Sequence, residues 1–342
     1  MTDTDLIIKK SHELGFDAVG ITREFAPAHR DYFLDWLDKG RHAEMDWLYK
    51  SRGLKLSPDR IMKGTRSAIV LAASYHHKVT RKTAYAIARY ARGTDYHGWI
   101  KQWLEELAVY IKQQIAPSFQ WRSFVDTGPV LERDLAEKAG LGWIGKNTCL
   151  INKDLGSYVF LGVIFCNLLF CAETKKAKNL CGQCDLCVKA CPTGALTPFK
   201  LDAGKCLAYH NIEKRGERAK AVWKPLHNRL VGCDICQEVC PRNIRARAGK
   251  NVQWLEGYEE THLADIAGFL ELDKGGYQKK FKHTAISRVK YQDFMRNVFI
   301  VIANLKRKDL IEQVKAWKIR NPHEGLAELE FCIGELEKEY EE

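Results

Sequence analysis

No cysteine occurs in the first 148 residues, although the chain of 342 holds twelve. Eight of the twelve fall between positions 181 and 240, so thiol chemistry is confined to one stretch. Long apolar runs are also missing. The longest, Ser157 to Phe170, is interrupted by Cys166 and Asn167 and falls short of the ~20 residues that cross a bilayer. Met1 to Lys10 has no charged region followed by an apolar one, and no twin arginine. A cytoplasmic protein that makes no use of a membrane is therefore expected. No G-x-G-x-x-G follows a strand pattern, and there is no P-loop. The glycine-rich run Gly140-Leu-Gly142-Trp-Ile-Gly145 follows a helical pattern, which is the wrong setting for a dinucleotide.

Positive charge is abundant. The formal net charge is +11, which favours a polyanionic partner. It is also clustered. Residues 205–250 carry eleven Lys/Arg against four Asp/Glu, and residues 271–320 carry thirteen against five. The last twenty residues reverse the sign, with eight Glu and one Lys.

Three segments differ in pattern: 1–170, 171–260 and 261–342. The first interleaves helix and strand periodicities. Helical spacing runs over Asp5–Leu14, His29–Asp38, His97–Ile115 and Val130–Ala139. Strand patterns run over Phe16–Thr22, Ser67–Tyr75, Trp121–Asp126 and Ser157–Phe165. An α/β domain with helices packed on a central sheet is expected. The second segment is rich in Cys, Gly, Pro and basic residues, and needs inorganic staples in place of a large core. The third is helical, with a pair at Tyr291–Leu305 and Asp309–Trp317 and a last helix from Pro322 to Tyr340. The whole is an α+β multidomain chain.

Cys181-Gly-Gln-Cys184-Asp-Leu-Cys187-Val-Lys-Ala-Cys191-Pro192 is a C-x2-C-x2-C-x3-C-P run. In bacterial ferredoxins three cysteines of this run hold one [4Fe–4S] cubane and the fourth ligates the other cluster. Cys233-Asp-Ile-Cys236-Gln-Glu-Val-Cys240-Pro241 repeats the pattern with its first cysteine missing, and Cys206 is the upstream candidate. One cluster then takes Cys181, Cys184, Cys187 and Cys240, and the other takes Cys191, Cys206, Cys233 and Cys236. Zinc could use the same thiolates, but it does not account for the paired C-x3-C-P endings. Cys149, Cys166, Cys171 and Cys332 lie outside the pattern and are expected as small buried hydrophobes.

Asp95-Tyr-His97-Gly98 starts like D-x-H-x-x-G, a motif that supplies histidine to cobalt, but Ile100 stands where the second glycine belongs. Glu132-Arg133-Asp134 opens a helix, where an Asp commonly serves the helix dipole.

Taken together, these stretches resemble one family. The run Val125-Asp-Thr-Gly-Pro-Val-Leu-Glu-Arg-Asp134, the run Ala139-Gly-Leu-Gly-Trp-Ile-Gly-Lys-Asn-Thr148, Ala88-Arg-Tyr-Ala-Arg-Gly-Thr-Asp-Tyr-His97 and the cysteine pattern resemble the epoxyqueuosine reductases over roughly residues 1–300. The resemblance implies reduction of epoxyqueuosine to queuosine in the tRNA wobble position. It also implies base-off cobalamin in a nitroreductase-like N-terminal domain, two [4Fe–4S] clusters, an external electron donor and a HEAT-like helical cap in a monomer. It makes Asp134 the proton donor. Corrin contacts are expected from His97, Asp134, Ser157, Tyr158 and Asp234. The basic insertion between Cys206 and Cys233, with Lys214, Arg215, Trp223, Lys224 and Arg229, is expected to meet the anticodon loop. Arg288, Lys290 and Arg296 are expected to grip the stem. The other readings to separate are a reductive dehalogenase-like reductase, a ferredoxin-type carrier and a flavin enzyme.

Overall fold

The computed structural model describes residues 2–77, 83–172, 176–250 and 265–338. The chain divides into two compact units, each assembled from separated stretches. The first takes Met1–Lys78, Tyr96–Asp202 and Ile235–Gln253, and the second takes Val79–Asp95, Ala203–Asp234 and Trp254–Glu342. Composition marks three consecutive segments, whereas these units interleave along the chain.

The first unit is built on four strands: β1 (Ala18–Thr22), β2 (Ser67–Ser74), β3 (Trp121–Phe124) and β4 (Val159–Cys166). Their order is β1-β2-β4-β3, and each pairing is antiparallel. The expectation of helices on a central sheet is met, and its strands run antiparallel. All eight residues of β2 are buried, because helices cover both faces. Burying each of Ile69, Val70 and Leu71 stabilises the fold by roughly 2 kcal/mol relative to exposure. Side chains alternate across the strand. Ala68, Val70 and Ala72, with Val163 and Phe165 of β4, therefore share one face and pack on Leu135, Ala136 and Ala139. Leu135 and Ala136 belong to the helix α4 (Glu132–Lys138), and Ala139 is its C-cap.

The opposite face meets α3 (Tyr96–Gln114), which buries Ile100, Leu104, Leu107 and Ile111 at helical spacing. Gly162 lets this helix approach, since a Cβ there would come within 2.9 Å of Leu104. The first helix, α1 (Asp3–Leu14), begins with a reciprocal Thr2–Asp5 capping box and ends at Gly15 with φ 112°. Between them lies α2 (Arg30–Asp38). These bounds lie within a few residues of those read from periodicity.

In the second unit α5 (Tyr291–Asn304) is buried from Asp293 to Ala303 and packs on α7 (Ala327–Glu337), which also meets α6 (Ile311–Arg320). The last helix begins at Ala327, five residues after Pro322. Charge is buried here in paired form. Arg218, 1% exposed, lies 3.2 Å from Asp293, and Arg296 lies 2.5 Å from the fully buried Glu328. Glu328 also accepts the Arg218 backbone N–H at 3.0 Å.

This core corrects two expectations about RNA contacts. Trp223 is 4% exposed, donates its indole N–H to the Arg218 carbonyl and packs on Phe331 at 4.8 Å. No face of its ring is left for a base. Arg296 is committed to Glu328 and cannot reach a phosphate. Lys224 and Lys290 are exposed, and Lys214 and Arg229 are half-buried. Arg215 donates to the Ile212 and Arg288 carbonyls. Arg288 is exposed and paired with Glu213 at 2.5 Å. No helix among the described residues is long and apolar enough to cross a membrane.

Candidate active site and cluster loops

No two of the twelve cysteines are joined in a disulfide among the described residues. In the first unit Cys181, Cys184 and Cys187 wind into the short helix Leu186–Lys189, and Cys240 precedes the short helix Pro241–Ile244. Burial raises the pKa of the Cys187 thiol, and the neighbouring sulfurs of Cys181, Cys240 and Cys184 raise it further. Four thiols from two distant stretches thus lie within electrostatic reach of one another. Cys191 behaves in the opposite way. Burial pushes its thiol up, but hydrogen bonds from the Thr193 backbone and hydroxyl and from the Ala195 and Leu196 backbone outweigh it, and the net direction is down. Donors aimed at a sulfur are what a thiolate ligand needs. Cys236 is half-buried in the first unit, and Cys206 and Cys233 are half-buried in the second. Among the described residues no three His, Cys, Asp or Glu side chains converge on a single ion. A cubane holds its thiolates further apart than one ion does.

Of the cysteines outside the pattern, Cys166 and Cys332 are buried, and burial pushes their thiols up to about 11 and about 12. Cys171 is exposed and Cys149 half-buried, which corrects the expectation for those two.

Ser157 is not free to meet a corrin. It is 6% exposed, its hydroxyl donates to Gln237 Oε1 at 2.9 Å and accepts from Asn243 Nδ2 at 2.9 Å, and its backbone N–H donates to Asn243 Oδ1 at 2.6 Å. These bonds staple the start of β4 to the loop that carries Cys236 and Cys240. Asp234, 4% exposed, accepts the Arg89 backbone N–H at 2.7 Å, a structural use of the carboxylate. Tyr158 is 1% exposed and stacks on His76 at 5.5 Å with 6° between the rings. His97 keeps about a third of its side chain exposed (32%), stacks on Tyr96 at 4.2 Å and lies 3.4 Å from Asp126. Asp126 has φ 51°, a left-handed conformation that aspartate adopts more readily than most residues other than glycine, and it opens the stretch that leads into α4.

The carboxylates at the start of α4 divide sharply. Asp134 is 6% exposed. Its Oδ1 accepts the His29 backbone N–H at 3.2 Å, and its Oδ2 lies 3.5 Å from the buried ammonium of Lys138. Lys138 also donates to the Ala26 carbonyl. Asp134 lines a crevice of about 10 Å³ with Phe25, Pro27, Val130 and Phe165, room for roughly one water. Glu132 stands differently. As a residue it is only partly buried, but its Oε1 is sealed from solvent with no hydrogen-bond partner among the described residues. Burial raises its pKa to about 8, against the pull of Lys55. Lys55 is itself buried, donating to the Gly128 and Val130 carbonyls at 3.2 and 3.3 Å. Desolvation lowers its pKa. A neutral carboxyl group held in a dry place can deliver a proton near pH 7. The reading of the sequence missed Glu132. Its place beside Asp134 in Glu-Arg-Asp was the only signal.

The glycine-rich run serves packing. A Cβ at Gly142 would overlap the Ile151 carbonyl, and one at Gly145 the Ile151 side chain, in the hairpin formed by Trp143–Ile144 and Leu150–Ile151.

Two cysteine loops with a ferredoxin pattern, in a chain whose helix-covered antiparallel sheet carries a carboxylic acid with one sealed oxygen, define an iron–sulfur reductase. Comparison with known proteins narrows the class. The family model described as "4Fe-4S double cluster binding domain" matches residues 180–243, and "Epoxyqueuosine reductase QueG, DUF1730" matches residues 55–127. The epoxyqueuosine reductase of Pseudomonas aeruginosa is 35% identical over 305 residues, which is 85% of this chain and 82% of that protein. That of Cyclobacterium marinum is 35% identical over 307 residues, covering 87% and 96%. The solved epoxyqueuosine reductase of Streptococcus thermophilus superposes with a TM-score of 0.87 at 26% identity, covering 100% of this chain and 92% of that one. The chain belongs to the epoxyqueuosine reductase family.

Proposed function

We propose that the chain reduces epoxyqueuosine to queuosine in the wobble position of tRNA, using cobalamin fed by two [4Fe–4S] clusters, with Glu132 as the proton donor. The reaction adds two electrons and two protons to the epoxide and releases water. The observation that carries the reading is the 35% identity to named epoxyqueuosine reductases over 82% and 96% of their lengths. The double-cluster match, with all eight pattern cysteines inside residues 180–243, supports it.

Cobalamin, when bound, supplies reduced cobalt, a strong nucleophile toward a strained epoxide. The residues that fit it in the first unit are His97, with its partly exposed imidazole, and Glu132, whose sealed Oε1 has no partner among the described residues. Ser157 and Asp234 are spent on structure. Cys181, Cys184, Cys187 and Cys240 fit one cluster by donor type and mutual reach, and Cys191, with donors aimed at its sulfur, suits a ligand of the other. Glu132 holds a proton at neutral pH and releases it to the departing oxygen. Lys55 fixes the Gly128 and Val130 carbonyls that precede Glu132, so it positions the acid. Asp134 anchors the chain ahead of α2 through His29 and Lys138. We read the sheet unit as nitroreductase-like and α5–α7 as a HEAT-like cap. Of the bases expected to meet tRNA, Lys224 and Lys290 keep exposed side chains that can meet phosphates.

The test is anaerobic reconstitution with iron, sulfide and cobalamin, followed by turnover of tRNA carrying epoxyqueuosine. The expected product nucleoside is lighter by one oxygen atom. An unchanged nucleoside mass, with clusters and corrin present by absorption, would overturn the reading.

A further inference from the structure

One face beside the four-cysteine loop of the first unit is unused by the chemistry above. Leu180, Leu186, Phe199 and Ile244 are 37, 46, 42 and 73% exposed. Leu180 and Leu186 lie on the segment that carries Cys181, Cys184 and Cys187, and Ile244 lies four residues after Cys240. Cys184 itself is exposed. Hydrogen bonds join these pieces. The Lys146 carbonyl accepts the Phe199 N–H at 3.1 Å, and its ammonium donates to the Gly182 carbonyl at 2.8 Å. Arg242 reaches the Leu180 carbonyl at 3.5 Å. Lys178 is exposed beside Asn179, whose side chain accepts the Cys181 N–H at 2.9 Å. The acid within the loop, Asp185, is offset by Lys189 at 2.9 Å. Apolar residues scattered singly on a surface need no explanation. Four of them around one group of cysteines, rimmed by cations, have the make-up of a docking surface for another protein.

We propose that this face docks a small acidic protein carrying a one-electron cofactor, which passes its electron to the cluster held by Cys181, Cys184, Cys187 and Cys240. The proposal rests on the two-cluster reading. Each encounter oxidises the carrier by one electron and reduces the cluster by one, so two encounters supply the pair that one epoxide consumes. The acidic character of the partner follows from Lys146, Lys178 and Arg242. Its apolar centre would meet Leu186 and Ile244.

The experiment uses the reconstituted holoenzyme and the double variant Lys178→Glu, Ile244→Glu, since both side chains are exposed and neither belongs to the cysteine pattern or to the residues assigned to the corrin and the proton. Reduced flavodoxin is the acidic carrier and dithionite the small-molecule control. The half-saturating flavodoxin concentration is expected to rise about tenfold and its salt dependence to shrink. Dithionite-driven turnover and the half-saturating tRNA concentration should stay at wild-type values. An unchanged flavodoxin dependence in a cluster-loaded variant overturns the docking proposal alone. A rise in the tRNA value instead assigns the face to RNA and also overturns it. A wild-type chain that takes up no iron–sulfur absorption refutes the two-cluster reading, and the docking proposal falls with it.

Discussion

Replacing Glu132 by Gln removes one exchangeable proton from a sealed position and leaves size and shape almost unchanged. With its pKa near 8, roughly nine-tenths of Glu132 is protonated at pH 7. A glutamate at the ordinary 4.5 would be protonated in roughly one molecule in three hundred at the same pH. The burial of this one carboxyl therefore raises the population of competent acid by about 300-fold. General acid catalysis contributes typically ~10²- to 10⁴-fold, and Glu132→Gln is expected to lower single-turnover conversion of epoxyqueuosine by that amount. The assay is nucleoside mass analysis after a rapid anaerobic quench, with corrin and cluster absorption recorded on the same sample. Wild-type turnover should fall as one proton is lost around pH 8. Lys55→Met, which removes a cation that lowers the Glu132 pKa, should move that limb to higher pH. The sign for stability follows from the same shift. The folded pKa lies above the unfolded one, so this group's contribution is fully present below about 4.5 and is lost as pH rises toward about 8. Glu132→Gln removes that slope. Turnover within threefold of wild type in the cofactor-loaded Gln variant would refute the assignment.

Asp134→Asn should behave as a structural change. Leaving Lys138 buried without its partner costs about 3 kcal/mol of stability, read by denaturant unfolding, while turnover at low temperature stays within a few-fold. Trp223→Ala should lower stability by about 3–5 kcal/mol through the cavity beside Phe331, with no selective loss of tRNA affinity in the folded fraction. Cys240→Ser should reduce the iron content to about half, if four cysteines hold each four-iron cluster, as measured by iron and sulfide analysis. Omission of cobalamin should abolish turnover and leave the cluster spectrum intact.

Much of the first unit was legible because its signals are local. The helical spacing over His97–Ile115 and the double-sided apolar run at Ser67–Tyr75 lie within a residue or two of the observed bounds. The cysteine pattern was legible for the same reason, since C-x2-C spacing is itself the signal. The acid was not. Glu132 and Asp134 are two residues apart on a helix, about 200° around its axis, so only one can face a given site. Which one does is set by Lys138 one turn along the same helix, by His29 at the start of α2 and by Lys55 of the short helix Arg52–Lys55. Ser157 and Trp223 failed as expectations for a related reason. A serine at a strand start or a tryptophan in a basic stretch fits surface or core equally well until long-range partners, here Asn243 and Phe331, are in place.

The staple between Ser157 and Asn243 sets a timetable for the newborn chain. β2 is complete at residue 74, but its neighbour β4 ends at residue 166. At roughly 5–20 residues per second of synthesis, the central strand waits on the order of 5–20 s for its partner. The stretch Ile235–Gln253 that completes the unit emerges later still. Until β4 arrives the apolar strand β2 has only β1 beside it, and until residues 235–253 follow the cysteine loops have no completed unit to be fastened to. Iron–sulfur loading is thus a late event in the life of this chain, and the interval before it is when the chain is most exposed to aggregation and most in need of a chaperone.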